Sequence, residues 1–319
     1  MTRIVVLEGK AINKGDLSWE PIERLGQVKI HKNTRQDQVI KVCKKADIIV
    51  VNKMIIDRQV IASLPELKLI CEAATGYNNI QLEAATDRKI PVCNVPAYST
   101  PSVAQHTFAL ILELASKVAM HSRKVHKGTW TKKKTWTWYT EPLIELSGKT
   151  IGIVGYGNIG RQVAAIARAF GMHVLVFHPH RIEDMDVLQV TWDELLQQSD
   201  IVSLHCPLRE DNRHMVDARA FTLMQEHAWL INTARGGLID EDALVQALSD
   251  KQIGGAGLDV LQQEPPPANH PLYKQKNCLI TPHQAWSSIE SRARLIDITA
   301  ENIEGFLTGM PQNVVNPEA

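Results

Sequence analysis

The chain has 319 residues, 44% of them apolar, and its 35 basic side chains are matched by 35 acidic ones. That length and apolar share suit two domains of ordinary size and exclude a disordered chain. A balanced charge gives no overall field for nucleic acid or an anionic membrane, so the expected partner is a small molecule.

Five cysteines, Cys43, Cys71, Cys93, Cys206 and Cys278, are odd in number and lack any C-x-x-C pairing. They read as reduced thiols of a cytoplasmic protein, with neither a disulfide framework nor a metal site. The N-terminus opens directly on a strand without signal-peptide organisation. The longest apolar stretch, near residues 108–115, carries Glu113 and is far short of a membrane span.

Residues 4–7, 47–51, 67–71 and 91–94 read as β-rich runs, and 36–45, 58–64 and 80–89 as amphipathic helices between them. Such alternation predicts a parallel sheet covered on both faces. The segment Pro96-Ala97-Tyr98-Ser99-Thr100-Pro101 breaks the pattern before a long helix over about 102–120, and the first domain boundary is placed there, at residue 100. Residues 121–145 then change character: Arg123, Lys124, Lys127, Lys132, Lys133 and Lys134 are interleaved with Trp130, Trp136, Trp138 and Tyr139. A basic aromatic stretch can bind single-stranded nucleic acid. The reading preferred here is a dimerisation arm that buries its tryptophans against a second subunit.

A second α/β unit follows, with strands expected at 150–154, 173–177, 201–204, 228–232, 255–259 and 278–280. A final helix over about 287–307 is expected to return the chain to the first domain. The domains expected are therefore a discontinuous one from 1–100 and 285–319, and one inserted between them from 101–284.

The turn Gly155-Tyr156-Gly157-Asn158-Ile159-Gly160 closes the first strand of this unit and opens a helix, the context in which Gly-x-Gly-x-x-Gly binds a dinucleotide. Gly155 permits the tight turn, Gly157 lets backbone approach a pyrophosphate, and Gly160 allows close helix packing. Amides at the helix start, at Asn158 and Ile159, then face the anion. At the end of the next strand, where an acidic residue would take the adenosine ribose hydroxyls, the sequence reads Phe177-His178-Pro179-His180-Arg181. His178 repels no ribose phosphate and Arg181 could attract one, so NAD(H) and NADP(H) both remain open; a solvent-facing loop is the plainer alternative.

Three residues can handle protons and anions beside such a cofactor: Arg235 after one strand, Glu264 after the next, and His283 after the last. Open parallel sheets bind ligands outside the carboxyl ends of their strands, so the three can meet at one crevice.

With these motifs in place, the chain resembles the D-isomer-specific 2-hydroxyacid dehydrogenases, and within them the glycerate dehydrogenase or hydroxypyruvate reductase group. The resemblance runs through Gly15-Asp16-Leu17-Ser18-Trp19-Glu20, Ala73-Ala74-Thr75-Gly76-Tyr77-Asn78-Asn79, Val103-Ala104-Gln105-His106-Thr107, the glycine turn, His205-Cys206-Pro207-Leu208, Asn232-Thr233-Ala234-Arg235-Gly236-Gly237, Gly257-Leu258-Asp259-Val260 and Thr281-Pro282-His283-Gln284-Ala285-Trp286.

It implies two Rossmann-like domains, a flavodoxin-like substrate domain and an inserted NAD(P)-binding doubly wound parallel sheet. It also implies reversible reduction of a short 2-keto acid, hydroxypyruvate or glyoxylate, by hydride from NAD(P)H without a metal. His283 is then the proton donor and acceptor, since an imidazole that titrates near pH ~6.5 suits reversible transfer. Glu264 beside it favours the imidazolium, and Arg235 holds the substrate carboxylate or carbonyl.

By the same resemblance the amides of Thr75 and Gly76 receive the substrate carboxylate; Tyr98 and Trp286 are the candidates for sensing its third carbon, with aromatic stacking in the core as the alternative for both. Thr107, Cys206, Pro207, Thr233, Ala234, Arg235, Asp259, His283 and Ala285 flank the cofactor with the glycine turn, and a two-fold homodimer forms through the cofactor domains. Alternative readings are a nucleotide-sensing corepressor-like protein, and a related dehydrogenase acting on another 2-keto acid or on phosphite.

Overall fold

Four- and five-residue apolar runs bounded by turns form parallel strands here, because each has helices to cover both of its faces. The structure, a computed structural model, describes residues 1–318. Its chain divides into two units, Met1–Ser99 with the segment from Trp286 onward, and Thr100–Ala285.

In the first unit the strands are β1 (Arg3–Val6), β2 (Gln27–Ile30), β3 (Ile48–Val51), β4 (Leu69–Glu72) and β5 (Val92–Cys93). Their order is β2-β1-β3-β4-β5, all parallel, the doubly wound arrangement of flavodoxin-like domains. β3 and β4 are buried along their whole length. Strand β2 lies outside the expected elements: Gln-Val-Lys-Ile alternates exposed and half-buried residues at the sheet edge, too short and polar to read as a core strand.

The C-terminal helix Ile289–Leu307 lays Leu295, Ile296, Ala300 and Ile303 against Ile4, Val6, Ile48 and Val50. Its buried Arg292 holds the Asp16 carboxylate with two hydrogen bonds, at 2.8 and 2.6 Å, which lowers the Asp16 pKa to about 2. The Gly15–Glu20 motif is thereby tied to the end of the chain inside one unit.

In the second unit β6 (Thr150–Val154), β7 (His173–Phe177), β8 (Leu188–Gln189), β9 (Ile201–Leu204), β10 (Trp229–Asn232), β11 (Gly255–Leu258) and β12 (Cys278–Ile280) form one parallel sheet. The order β12-β11-β10-β9-β6-β7-β8 reverses direction between β6 and β9, the switch point at which such sheets bind dinucleotides. Both sheets thus have the two-domain α/β character expected. Strand β8 is two exposed residues long, too short for a periodicity to show, and lies outside the expected elements.

The single helix expected over 102–120 is two, Thr100–Ser116 and Val118–His126. Lys117 takes a left-handed backbone (φ 51°) between them, its ammonium on the Glu141 carboxylate, while the Glu113 carboxylate accepts from Ala119 N at 3.0 Å. Hydropathy alone cannot show a break whose cause is two acidic side chains. All five cysteines are free thiols, with Cys43, Cys71 and Cys93 buried. Among the described residues no helix is long and apolar enough to cross a membrane.

Glu72, the last residue of β4, is fully buried. Its Oε2 accepts from Asn79 Nδ2 at 2.9 Å and its Oε1 has no partner among the described residues. Burial, reinforced by the nearby Glu8 carboxylate, pushes its pKa up to about 9 against the opposing Asn79 hydrogen bond and Lys53 charge. The folded chain therefore keeps a proton on Glu72 that the unfolded chain releases above its ordinary carboxylate range. That proton uptake makes folding progressively less favourable between the ordinary range and pH ~9, by at most ~1.4 kcal/mol per pH unit, and constant beyond it. Glu72→Gln, neutral in both states, should raise the melting temperature, with an advantage over the parent that widens from pH 5 to pH 8. Parallel melting curves for the two proteins across that range would contradict the assignment.

Candidate active site at the carboxyl ends of the second sheet

The glycine turn has the geometry that its sequence requires. Gly155 sits at φ 93°, and a Cβ there would lie 2.8 Å from the backbone nitrogen of Cys206. A Cβ on Gly160 would lie 2.2 Å from the Gly155 carbonyl oxygen, so the helix Asn158–Ala169 starts in direct contact with the turn. By contrast, a Cβ on Gly157 would meet no protein atom within 4 Å. The backbone of Gly157, Asn158 and Ile159 thus presents an open helix start to an anion, which fits a dinucleotide pyrophosphate.

Beyond β7, His178 and Arg181 line a cavity of about 460 Å³ together with Tyr156, Arg161, Ile182, Glu183 and Asp184. On the other side of the switch point, Cys206 and Pro207 follow β9. Burial pushes the Cys206 thiol up to about 11, so it is no thiolate at neutral pH. His205 beside it lies 2.8 Å from Ser203 Oγ, and burial holds its pKa down to about 3, leaving it neutral.

After β10, Asn232 builds an Asx turn: its Oδ1 accepts from Ala234 N at 3.0 Å and its Nδ2 donates to Arg235 O at 2.9 Å. This fixes the backbone on which Thr233, Ala234 and Arg235 stand. Thr233 Oγ1 lies 3.1 Å from the buried Thr107 Oγ1, which is also 2.9 Å from Val103 O. The half-buried Arg235 spends one Nη1 donor on Ala234 O at 2.8 Å.

Asp259, one residue beyond β11, is 1% exposed. Its Oδ1 accepts from Thr281 Oγ1 at 2.6 Å and Gln284 N at 2.9 Å, and its Oδ2 from Ala285 N at 2.8 Å. His106 Nε2 stands 3.0 Å from Thr281 Oγ1 and 3.5 Å from Asp259 Oδ1. His283 N donates to Asp259 O at 2.8 Å, and His283 itself adopts φ 49°. Its Nδ1 meets Glu264 Oε2 at 2.6 Å, while Glu264 Oε1 accepts from Leu261 N at 3.1 Å. An imidazole oriented by a carboxylate that is itself anchored to backbone is a proton-transfer arrangement.

The supporting residues Asn232, Thr281 and His106 stand in the motifs that carry the resemblance, but the sequence gives them no role of their own there. Of the three, Asn232 carries a usable signal, an asparagine at the end of an apolar strand, where its side chain can close a turn.

In the first unit the 73–79 segment is held from below, with Thr75 Oγ1 donating to Val95 O at 2.9 Å and Asn94 Nδ2 to Thr75 O at 2.8 Å. Gly76 follows in the same loop, half-buried. Tyr98 and Trp286 meet each other edge to face, with ring centroids 6.4 Å apart. Among the described residues no group of three or more histidine, cysteine or acidic side chains is arranged to hold a metal ion.

Residues 108–285 match the family described as D-isomer specific 2-hydroxyacid dehydrogenase, NAD binding domain. The chain is similar to a hydroxypyruvate reductase of Blautia hydrogenotrophica, 41% identical over 98% of this chain and 99% of that one. It is similar also to a glycerate dehydrogenase of Methylorubrum extorquens, 39% identical over 88% of each. Among solved structures, D-lactate dehydrogenase from Aquifex aeolicus, complexed with NAD and lactic acid, superposes with a TM-score of 0.85 at 30% identity, covering 99% of both chains. This chain belongs to the D-isomer-specific 2-hydroxyacid dehydrogenases, with a nicotinamide dinucleotide as its cofactor.

Proposed function

We propose that the chain reversibly reduces a short 2-keto acid, hydroxypyruvate or glyoxylate, to the corresponding hydroxy acid, D-glycerate or glycolate, with His283 exchanging the proton. The observation that carries this reading is the 2.6 Å contact between His283 Nδ1 and Glu264 Oε2 on the turn held by Asp259. It agrees with the activities for which the Blautia and Methylorubrum relatives are named.

A bound reduced nicotinamide supplies the hydride for the carbonyl carbon. As negative charge builds on the carbonyl oxygen, His283 delivers a proton to it through Nε2, and Glu264 stabilises the positive charge on the ring before that transfer. In the reverse direction the neutral ring takes the hydroxyl proton. Arg235 offers a planar fork of donors to the substrate carboxylate and carbonyl. Asp259 keeps the turn in register so that the ring stays aimed, and the backbone of Thr233, Ala234, Cys206 and Pro207 lines the cofactor side.

Residues 121–145 serve in this reading as the dimerisation arm, and the chain works as a cytoplasmic homodimer with a discontinuous substrate domain. Support comes from the arm's surface: Trp136 is 94% exposed, and Trp130, Tyr139, Leu143 and Ile144 are exposed beside it. Apolar surface of that extent marks an interaction site.

His283→Ala should lower kcat with hydroxypyruvate by roughly 10²–10⁴-fold while leaving cofactor affinity within about twofold. Near-normal turnover in that variant would refute the proton-transfer role, and a cofactor-binding parent that turns over neither hydroxypyruvate nor glyoxylate would refute the substrate class. Asp259→Asn, whose side chain has one acceptor oxygen where the carboxylate has two, should cost on the order of 10²-fold in kcat by misplacing the ring. An unchanged kcat would show that the turn holds without the carboxylate. Light scattering at micromolar concentration should give the mass of two chains, and Trp130→Ser with Trp136→Ser should shift it toward one; a monomeric parent would end the arm proposal.

A further inference from the structure

The cavity beyond β7 is built, not merely open. Gln189, half of the short strand β8, clamps the loop that follows β7: its Nε2 donates to His178 O and His180 O, each at 2.9 Å, and its Oε1 accepts from Ile182 N at 3.0 Å. This fixes the direction of His178 and places Arg181 at the cavity rim.

His178 Nδ1 accepts from Tyr156 N at 3.3 Å, within the glycine turn itself. Burial, with the Arg161 guanidinium nearby, lowers its pKa below the ordinary imidazole value, so the ring is neutral at physiological pH. With Nδ1 an acceptor, the proton of the neutral ring resides on Nε2, which makes that nitrogen a donor. Arg161 donates from Nε to Tyr156 O at 3.2 Å and stacks 5.5 Å from the centre of the Tyr156 ring, keeping its guanidinium beside the turn. Arg181 makes no hydrogen bond or ion pair among the described residues.

The carboxylates that face this space are Glu183 and Asp184. Asp184 already accepts from Tyr156 Oη at 2.6 Å and lies 3.8 Å from Arg168 Nη1, so its charge is engaged by these two partners. Glu183 is exposed to solvent, where its charge is screened. No carboxylate stands at the end of β7, where one would take both ribose hydroxyls and repel a phosphate.

We infer that this cavity is a 2′-phosphate site, formed by His178 Nε2, Arg161 and Arg181, and that the enzyme prefers NADP(H) to NAD(H). The inference rests on the dehydrogenase reading, since it concerns the adenosine end of the same cofactor. The phosphate gains charge-assisted hydrogen bonds from two guanidiniums and one from a neutral imidazole.

The test is direct titration of the full chain with NADPH and NADH by nicotinamide fluorescence, with 2′,5′-ADP and ADP as competing probes that lack the nicotinamide. NADPH should bind at least about tenfold more tightly than NADH, and 2′,5′-ADP should outcompete ADP by a similar factor. Arg181→Ala, at an exposed position that leaves the fold intact, should lose roughly tenfold in NADPH affinity and change NADH affinity less than about twofold. His178→Asp should reverse the preference. Tighter or equal binding of NADH by the parent, or an Arg181→Ala loss shared equally by both cofactors, would overturn the inference while leaving the dehydrogenase reading intact. Binding of neither cofactor would remove both.

Discussion

One buried carboxylate organises the chemistry of the second unit. Asp259 gives its two oxygens to Thr281 Oγ1, Gln284 N and Ala285 N, and its own carbonyl to His283 N. Four groups from a five-residue turn therefore converge on one residue at the end of β11. A carboxylate can be buried at 1% exposure only if its lone pairs are met, so the turn and the aspartate need each other. The turn cannot drift without stranding a charge, and that is what gives the His283 ring a fixed origin.

The other proton- and anion-handling groups are placed by the same device at smaller scale. Asn232 closes its own turn after β10 and sets the carbonyl of Arg235, while Glu264 uses one oxygen on Leu261 N and the other on His283. In each case a side chain at or beyond a strand end satisfies backbone groups of the loop that follows the strand. The reactive group then stands on a backbone that is already hydrogen-bonded. This is why parallel sheets collect function at their carboxyl ends: loops there are short, ordered by local polar side chains, and aimed at one crevice.

These arrangements were unequally legible in the sequence. Central strands such as β3 and β9 announce themselves because burial on both faces demands continuous apolar runs. The edge strands β2 and β8 do not, since one is half-exposed with Lys29 on it and the other is two residues long. Arg235, Glu264 and His283 could be picked out by residue type, strand position and family likeness. That Asp259 supports the turn carrying His283 could not be read, because its partners, the Thr281 hydroxyl and two backbone amides, lie more than twenty residues on, and amides have no signature. Glu72 lies just past the run 67–71 that reads as a strand; its protonated state arises from burial, reinforced by the Glu8 carboxylate, in surroundings that only the fold assembles. Gln189 was hidden for the same reason, being an ordinary glutamine whose worth lies in three backbone groups of another loop.

The backbone of His283 shows how much this support has to carry. At φ 49° it occupies the left-handed region, which glycine adopts freely and which costs a residue with a Cβ about 1 kcal/mol or more. Glycine would relieve that strain and remove the imidazole. The turn therefore has to hold a strained residue at the position where the proposed proton transfer needs a side chain, and it does so with a hydrogen bond on the His283 amide and three more on the flanking residues through Asp259. Individually such bonds contribute on the order of 1 kcal/mol each, more where the acceptor is charged, so together they exceed the conformational cost. The strain and the buried carboxylate are consequently two parts of one solution: the conformation aims the ring toward the strand ends, and the charge of Asp259 keeps the aim.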